Sequence, residues 1–176
     1  LLSEISTILG LLYEKNSEKK IIIDKSPFNF FWIGFIKLIF PNAKIIHISR
    51  NIEDTCLSIY KSLFGTNGVL WSYNKSNIIK FVKIYDYLIN YWSKKIPNYI
   101  YEINYETLVN NQEFESKKLI KFCELEWQDK CLSFYENVPT IKSASLYQTR
   151  KPIYKSSIKQ NLNYNKYINF TEVTKK

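Results

Sequence analysis

Apolar and polar positions alternate along this chain in patterns that predict helices separated by short strands. Leucine and isoleucine recur at helical spacing over residues 1–13, whereas residues 21–24 begin with a continuous apolar run typical of a short strand. Residues 28–40 are strongly apolar and aromatic, which predicts a buried helix, and Pro41 ends it because proline cannot continue a helix interior. The first forty residues therefore predict a helix, a strand and a second helix, in that order.

The most regular pattern spans residues 43–63 and predicts a buried strand, a turn and an amphipathic helix. Residues 43–49 form the apolar run expected of a parallel strand that is covered on both faces. Asn51 is suited to cap the helix, and the polar positions Asp54 and Ser58 fall on one side of it. The apolar positions fall on another side: Ile52, Cys56, Ile59, Tyr60 and Leu63. The helix is expected to pack through its apolar side and to expose the polar one.

The rest of the chain continues this alternation. Ser76 is predicted to cap a long helix, and residues 99–103 predict a further strand, followed by a polar loop from Val138 onward. Shorter helical segments are predicted at residues 105–106, 112–123 and 127–135. Strands that alternate with helices predict an α/β fold with a parallel sheet. We expect one domain over residues 1–168 and a frayed tail at residues 169–176.

Polar residues follow each predicted strand at the point where it ends. Lys25 follows the first strand, Arg50 the second and Tyr105 the third. Because ligands of open α/β sheets bind at the carboxyl ends of strands, we expect these residues and Ser58 to meet at one edge and bind an anion. The polar loop adds further candidate donors: Ser143, Ser145, Gln148, Arg150 and Lys151. Taken singly, each has an ordinary alternative, such as a surface lysine or a helix serine bonded to its own backbone.

The charge balance favours an anionic partner. Lysine and arginine number 25 against 16 acidic residues, a net charge of +9, which favours nucleotides, nucleic acid or an anionic membrane. Arg50 and Arg150 are the only arginines in the sequence. Arginine is preferred over lysine where a planar, forked donor must hold a phosphate, and the alternative is an arginine paired with a carboxylate.

Several other kinds of chemistry find no support in the sequence. Neither GxxxxGK[ST] nor GxGxxG is present, and the single histidine, His47, falls inside a predicted strand and is expected in the core. The three cysteines lack CxxC spacing, which favours buried thiols in a reducing, cytoplasmic location, and we expect no metal. No apolar run is long enough to span a membrane. Methionine is absent and Leu1 opens directly into a helical pattern, so we expect a longer protein whose beginning is missing here.

Separated motifs occur in a characteristic order along the chain: IIIDKSPFNFFWIGFIKLIFPNAKIIHISRNIEDTCLSIY, WSYN, INYETLV, FCELEWQDKCLSFYEN and SASLYQTRKPIYKSSI. In this order the chain resembles the bacterial sulfotransferases that carry tetratricopeptide repeats upstream, which are relatives of the tyrosylprotein sulfotransferases. The resemblance implies a P-loop-like α/β fold, with a parallel sheet flanked by helices, that binds 3′-phosphoadenylyl sulfate (PAPS) as co-substrate. It implies transfer of the sulfuryl group to a hydroxyl acceptor, such as a protein tyrosine, a saccharide or a small alcohol, and an upstream repeat domain.

The resemblance implies a role for each candidate residue by matching position. Arg50 and Ser58 match the pair that holds the nucleotide 3′-phosphate, and Tyr105 matches the tyrosine beside the nucleotide. Lys25 matches the lysine that approaches the transferred group. The late loop matches a cofactor-binding segment and contributes Ser145, Gln148, Arg150, Lys151 and Tyr154.

Some features depart from the family's pattern. The family's loop for the 5′-phosphosulfate and its acidic general base are absent, which implies that the first strand and the phosphate loop lie upstream of Leu1. Asn161 stands in place of a tryptophan, and Gln160 in place of a basic residue. Two alternatives stay open, a nucleotide-binding relic without catalysis and a basic nucleic-acid-binding domain. No RNA-binding motif supports the second, and no nucleic acid is expected as a partner.

Overall fold

The computed structural model describes residues 2–15, 21–64, 67–136 and 151–174. Its α-helices are α1 (Leu2–Lys15), α2 (Ile33–Ile39), α3 (Ile52–Lys61), α4 (Lys75–Lys95), α5 (Tyr105–Asn110), α6 (Gln112–Phe122) and α7 (Asn161–Tyr164). Its strands are β1 (Ile45–Ser49) and β2 (Ile100–Asn104). Short 3₁₀ segments occur at Asn29–Trp32, Asn67–Tyr73, Asp129–Cys131, Phe134–Glu136 and Thr171–Val173. Within these ranges, no helix has both the length and the apolar character needed to cross a membrane.

β1 and β2 pair in parallel and are flanked by helices, which confirms the predicted α/β fold. Both strands lie where the sequence predicts them, with ends shifted by one or two residues. The prediction that β1 is covered on both faces is wrong for the described chain. Ile46 and Ile48 point to one face and are exposed, whereas His47 points to the other and is largely buried.

The strand predicted at residues 21–24 is not formed. Residues 21–26 lie outside helices and strands, and the isoleucine side chains are exposed, Ile23 by 86%. An apolar run becomes a strand only when a neighbouring strand supplies backbone hydrogen bonds. In the described residues the sheet consists of β1 and β2, so this segment has no such neighbour.

The chain forms two compact units, and the first comprises Leu1–Ile45 and Ile84–Ile100. In this unit α1 packs on α2. The α2 backbone also approaches α4 closely at Gly34, where an added Cβ would overlap the ring of Trp92. The glycine at this position is therefore required by the space that the indole occupies.

The helix predicted over residues 28–40 is shorter and less buried than expected. The segment begins as a 3₁₀ turn, and α2 starts only at Ile33. Three of its apolar side chains are buried: Phe30, Ile33 and Ile39. Five others are exposed: Phe28, Phe31, Trp32, Phe35 and Leu38. A helix points side chains in all directions, so an apolar composition on every side does not by itself bury every side.

The second unit comprises Ile46–Lys83 and Tyr101–Lys176 and contains a core of its own. The buried side chains of this core come from α3, α4 and the end of the chain: Cys56, Leu57, Ile78, Ile79, Val82 and Phe170. Phe170 falls in the predicted frayed tail, yet it is 1% exposed. Nearby, Glu172 forms an ion pair of 2.8 Å with Lys75. Phe170 and the partly buried Val173 thus hold residues 169–174 against the core of this unit, which sequence patterning did not indicate.

The predicted long helix is α4, but its cap differs from the prediction. The Asn74 side-chain oxygen, rather than Ser76, accepts a hydrogen bond from the Asn77 N–H at 3.2 Å, and it also accepts one from the Ser76 hydroxyl at 2.7 Å. Asparagine is among the best capping residues, and with the cap at Asn74 instead of Ser76 the helix begins two residues earlier than predicted. The helix predicted at residues 127–135 is replaced by two 3₁₀ turns, Asp129–Cys131 and Phe134–Glu136.

Candidate functional site

Two side chains fix the turn between β1 and α3. Asn51 caps α3 as predicted, because its Oδ1 accepts a hydrogen bond from the Asp54 N–H at 2.9 Å. Glu106, at the start of α5, accepts a hydrogen bond from the Asn51 N–H at 2.9 Å through Oε1. Since Arg50 immediately precedes Asn51, these contacts hold the Arg50 backbone at the carboxyl end of β1.

The Arg50 side chain is held by two later parts of the chain. Its Nη2 donates a hydrogen bond to the carbonyl oxygen of Ser157 at 2.6 Å, and its guanidinium lies 5.1 Å from the centre of the Tyr105 ring. Its Nε is buried and has no hydrogen-bond partner among the described residues. Within that same part of the chain Arg50 also pairs with no carboxylate, the alternative that the sequence left open. The guanidinium is therefore oriented by its neighbours, and one of its donors is unused within the described residues.

Arg50 opens onto a cleft of about 690 Å³, a volume usual for small-ligand sites. Hydroxyl groups, one guanidinium, an amide and two isoleucines line it: Ile48, Arg50, Thr55, Ser58, Ile59, Tyr105, Tyr154, Ser156, Ser157 and Gln160. These residues come from the end of β1, from α3, from the start of α5 and from the segment before α7. The guanidinium, the hydroxyl groups and the amide can all donate hydrogen bonds, which suits a ligand rich in acceptors.

Four of the residues singled out in the sequence meet in this cleft: Arg50, Ser58, Tyr105 and Tyr154. Arg50 and Tyr105 follow the two strands, and their contact shows that polar residues after both strands meet at one sheet edge. The Ser58 hydroxyl is exposed at the cleft and makes no hydrogen bond within the described residues. The interpretation of Ser58 as a helix serine bonded to its own backbone therefore does not apply.

The other predicted site residues are not placed in this cleft. Ser145, Gln148 and Arg150 lie outside the described residues, as does Ser143. Lys151 is exposed and does not line the cleft. Lys25 is exposed and belongs to the first compact unit.

Asp54 is a residue whose part in this region the sequence did not reveal. It was expected on the exposed side of α3, but it is 1% exposed. Its Oδ2 accepts a hydrogen bond from the Lys159 N–H at 2.8 Å, and its Oδ1 accepts one from the Asn161 N–H at 2.7 Å. The neighbouring Glu53 accepts a hydrogen bond from the Asn161 side chain at 3.1 Å. Helical periodicity cannot signal these contacts because the partners lie more than a hundred residues later.

Three further lining residues were missed, Thr55, Ser156 and Ser157, whereas Gln160 had been noted as a departure from the family's pattern. Thr55 lies three positions before Ser58 and so shares its face of α3, a spacing from which it could have been found. The two serines lie inside the motif SASLYQTRKPIYKSSI, where only the earlier polar residues had been selected. Ser156 and Ser157 reach the cleft because of the turn at residues 159–161, and local sequence does not specify that turn.

The titratable groups nearest the core are not suited to acid–base work. His47 Nδ1 lies 3.5 Å from Glu102 Oε1 on β2, away from the cleft lining. Burial lowers the pKa of His47, although the charge of Glu102 opposes this effect. Burial, reinforced by Glu53, raises the pKa of the Cys56 thiol to about 12, so it stays protonated at neutral pH.

Comparisons with known proteins place the fold and the site in context. A family model described as the sulfotransferase family matches residues 3–129. A protein of Aquifex aeolicus (strain VF5), described as uncharacterized, is 38% identical over 157 residues, which cover 87% of this chain and 20% of that protein. The sulfotransferase domain from the curacin biosynthetic pathway is similar in structure, with a TM-score of 0.68 and 18% sequence identity, over 90% of this chain and 60% of that domain. The chain thus spans about a fifth of this relative's length.

Proposed function

Because the chain belongs to the sulfotransferase family, we propose that it forms the nucleotide-binding part of an enzyme that uses 3′-phosphoadenylyl sulfate. In this reaction the oxygen of an acceptor hydroxyl attacks the sulfur, and the bond from sulfur to the 5′-phosphate oxygen breaks. The leaving group is adenosine 3′,5′-bisphosphate. The protein's task is to hold the nucleotide in line and to place positive charge where negative charge develops.

The observation that carries this proposal is the Arg50 guanidinium, which lines the cleft and is held in place by the Ser157 carbonyl. A charge-assisted hydrogen bond from such a group to a ligand contributes roughly 1.5–3 kcal/mol. A phosphate group accepts two parallel hydrogen bonds from a guanidinium, a geometry that lysine cannot match. Arg50 therefore suits the 3′-phosphate, and the exposed Ser58 hydroxyl supplies a second donor within the same cleft.

The aromatic residues of the cleft suit the rest of the nucleotide. Tyr105 and Tyr154 line the cleft, and an aromatic face stacks on any nucleobase. We assign both tyrosines to the nucleoside. We assign Ser145, Gln148, Arg150 and Lys151 to the same nucleotide through the late loop, by their match to the family motif.

The catalytic part of the proposal concerns Lys25 and a contribution from outside these 176 residues. Lys25 approaches the transferred group and neutralises charge on the leaving phosphate. The general base and the loop for the 5′-phosphosulfate are proposed to come from sequence preceding Leu1, in a cytoplasmic protein that also carries tetratricopeptide repeats. The acceptor is a hydroxyl group of a protein, a saccharide or a small alcohol.

Titration calorimetry with two nucleotides tests the proposal. Adenosine 3′,5′-bisphosphate should bind at least tenfold more tightly than adenosine 5′-monophosphate, because only the first offers a phosphate to Arg50. The affinity should fall modestly as salt is raised, since one nucleotide makes few phosphate contacts. Equal affinities for the two nucleotides, or no binding of either, would overturn the proposal. A steep salt dependence with single-stranded nucleic acid as the tighter ligand would favour the nucleic-acid alternative.

A further inference from the structure

A buried carboxylate anchors the segment that forms one wall of the cleft. Each oxygen of Asp54 accepts one backbone hydrogen bond, from Lys159 at 2.8 Å and from Asn161 at 2.7 Å. Lys159 has a φ of 59° and Gln160 has a φ of −63° and a ψ of −31°. A left-handed residue followed by a right-handed one turns successive N–H groups toward a single anion. Here that anion is the side chain of Asp54.

The anchored turn adjoins the residues that line the cleft. Ser156, Ser157 and Gln160 all line it, whereas Asp54 does not. The Ser157 carbonyl in turn accepts the 2.6 Å hydrogen bond from Arg50. The Arg50 guanidinium is thus hydrogen-bonded to the same segment whose turn Asp54 holds.

We propose that Asp54 is a positioning residue for nucleotide binding. By fixing the turn at residues 159–161, it sets where the Ser157 carbonyl lies, and this carbonyl orients Arg50 toward the cleft. Asp54 itself touches no ligand. The inference rests on the proposed function, because it concerns the same cleft and the same nucleotide.

If Asp54 acted only through its charge, its removal would change the nucleotide affinity in the opposite direction from the loss of a positioning role. A carboxylate near an anion site repels the anion, so removing its charge should tighten nucleotide binding if only charge matters. Removing the anchor should instead weaken binding, because the turn is no longer fixed and part of the binding energy is used to order it. The sign of the change in affinity therefore separates the two accounts.

The first test compares Asp54→Asn with the matched variant Asp86→Asn, which neutralises an exposed carboxylate on α4. The asparagine keeps the size but offers one acceptor oxygen, so one of the two amides loses its partner. We expect the Kd for adenosine 3′,5′-bisphosphate, measured per folded molecule, to rise about tenfold in Asp54→Asn and to stay unchanged in Asp86→Asn. Amide hydrogen exchange at Lys159 and Asn161 should accelerate in Asp54→Asn alone.

A second pair of variants changes the exposed residue of the same turn, Lys159. This test remains valid even if Asp54→Asn does not fold. Lys159→Val and Lys159→Gly remove the same charge, but only glycine accepts the left-handed backbone. Because the two variants lose the same charge, we expect Lys159→Val to bind the bisphosphate about tenfold more weakly than Lys159→Gly.

The outcomes distinguish this inference from the proposed function. If the wild type binds the bisphosphate and both Asp54→Asn and Lys159→Val bind it equally well, the positioning role is wrong and the proposed function stands. A lower melting temperature with an unchanged Kd would likewise show that Asp54 supports only the fold. If the wild type does not bind the nucleotide, the proposed function fails and this inference fails with it.

Discussion

At the scale of single residues, Arg50 makes the clearest case for a group that lysine cannot replace. One of its nitrogens already donates to Ser157, and another is buried without a partner in the described chain. Arg50→Lys keeps the charge, but an ammonium group lacks the planar set of donors that can bond the Ser157 carbonyl and a phosphate at the same time. We expect a ten- to hundredfold loss of affinity for adenosine 3′,5′-bisphosphate, equivalent to roughly 1.5–3 kcal/mol, measured by calorimetry.

The control for this prediction is the nucleotide that lacks the 3′-phosphate. Adenosine 5′-monophosphate should bind wild type and Arg50→Lys with nearly equal, weak affinity. If both nucleotides lose the same factor, Arg50 supports the fold of the cleft and does not read the phosphate.

His47 predicts a pH-dependent contribution to stability. Burial lowers its pKa in the folded protein below 6.5, so the unfolded chain takes up a proton more readily. The contribution is complete above about pH 6.5 and is lost as the pH falls through the folded-state pKa. Urea unfolding at pH 7.5 and pH 5 should show a larger fall in the free energy of unfolding for wild type than for His47→Gln. An equal fall in both would mean that His47 does not titrate differently on unfolding.

The sequence predicted the positions of single residues correctly where the residue type and its place next to a strand or helix indicated the same location. Arg50 and Tyr105 each follow a strand, and the cap at Asn51 has its usual sequence context, so the sequence indicated their neighbourhood. Asp54 shows the limit of this approach. An acidic residue in the first turn of a helix is normally solvated, and only a backbone turn far along the chain makes it a buried anchor.

At the scale of elements, the close contact between α2 and α4 can be tested by adding one methyl group at Gly34. A Cβ added at Gly34 would overlap the ring of Trp92, so Gly34→Ala forces the indole or the helix to move. Such overpacking typically costs about 1–3 kcal/mol, which urea unfolding would detect.

The matched control uses a second glycine, in α1. An added Cβ at Gly10 meets nothing within 4 Å among the described atoms. Gly10→Ala should therefore stabilise the protein by about 0.5–1 kcal/mol through helix propensity. Equal effects of the two substitutions would contradict the close approach of α2 to Trp92.

Helices were predictable where the local pattern is strong, as in α3 and α4, which both have capping residues. The apolar run before Arg50 forms a strand as predicted, and β2 supplies its partner. The isoleucines at 21–23 have the composition of a strand, but pairing depends on a partner that the local pattern does not reveal. Phe170 likewise looks isolated in sequence and is buried only because distant helices provide its neighbours.

At the scale of the whole molecule, the proposed catalysis involves a residue outside the cleft that Arg50 lines. Lys25 belongs to a different compact unit from Arg50, and the proposal assigns it to the transferred group. In an enzyme preparation with sulfotransferase activity, Lys25→Ala should lower kcat by about 10²-fold or more with little change in the KM for the nucleotide. Lys151→Ala, another exposed lysine, provides the comparison, because it should raise the KM instead. A raised KM with an unchanged kcat for Lys25→Ala would make Lys25 a binding or surface residue.

The segment at residues 151–174 is synthesised on the ribosome after the other described residues, so its contacts form late. Arg50 is synthesised 107 residues before Ser157, and Asp54 105 residues before Lys159. At about 5–20 residues per second, α3 remains without these partners for roughly 5–20 s. During this time the nascent chain has neither the wall of the cleft nor Phe170 in its core. If the proposed function is right, nucleotide binding should therefore be acquired only after this segment has been synthesised.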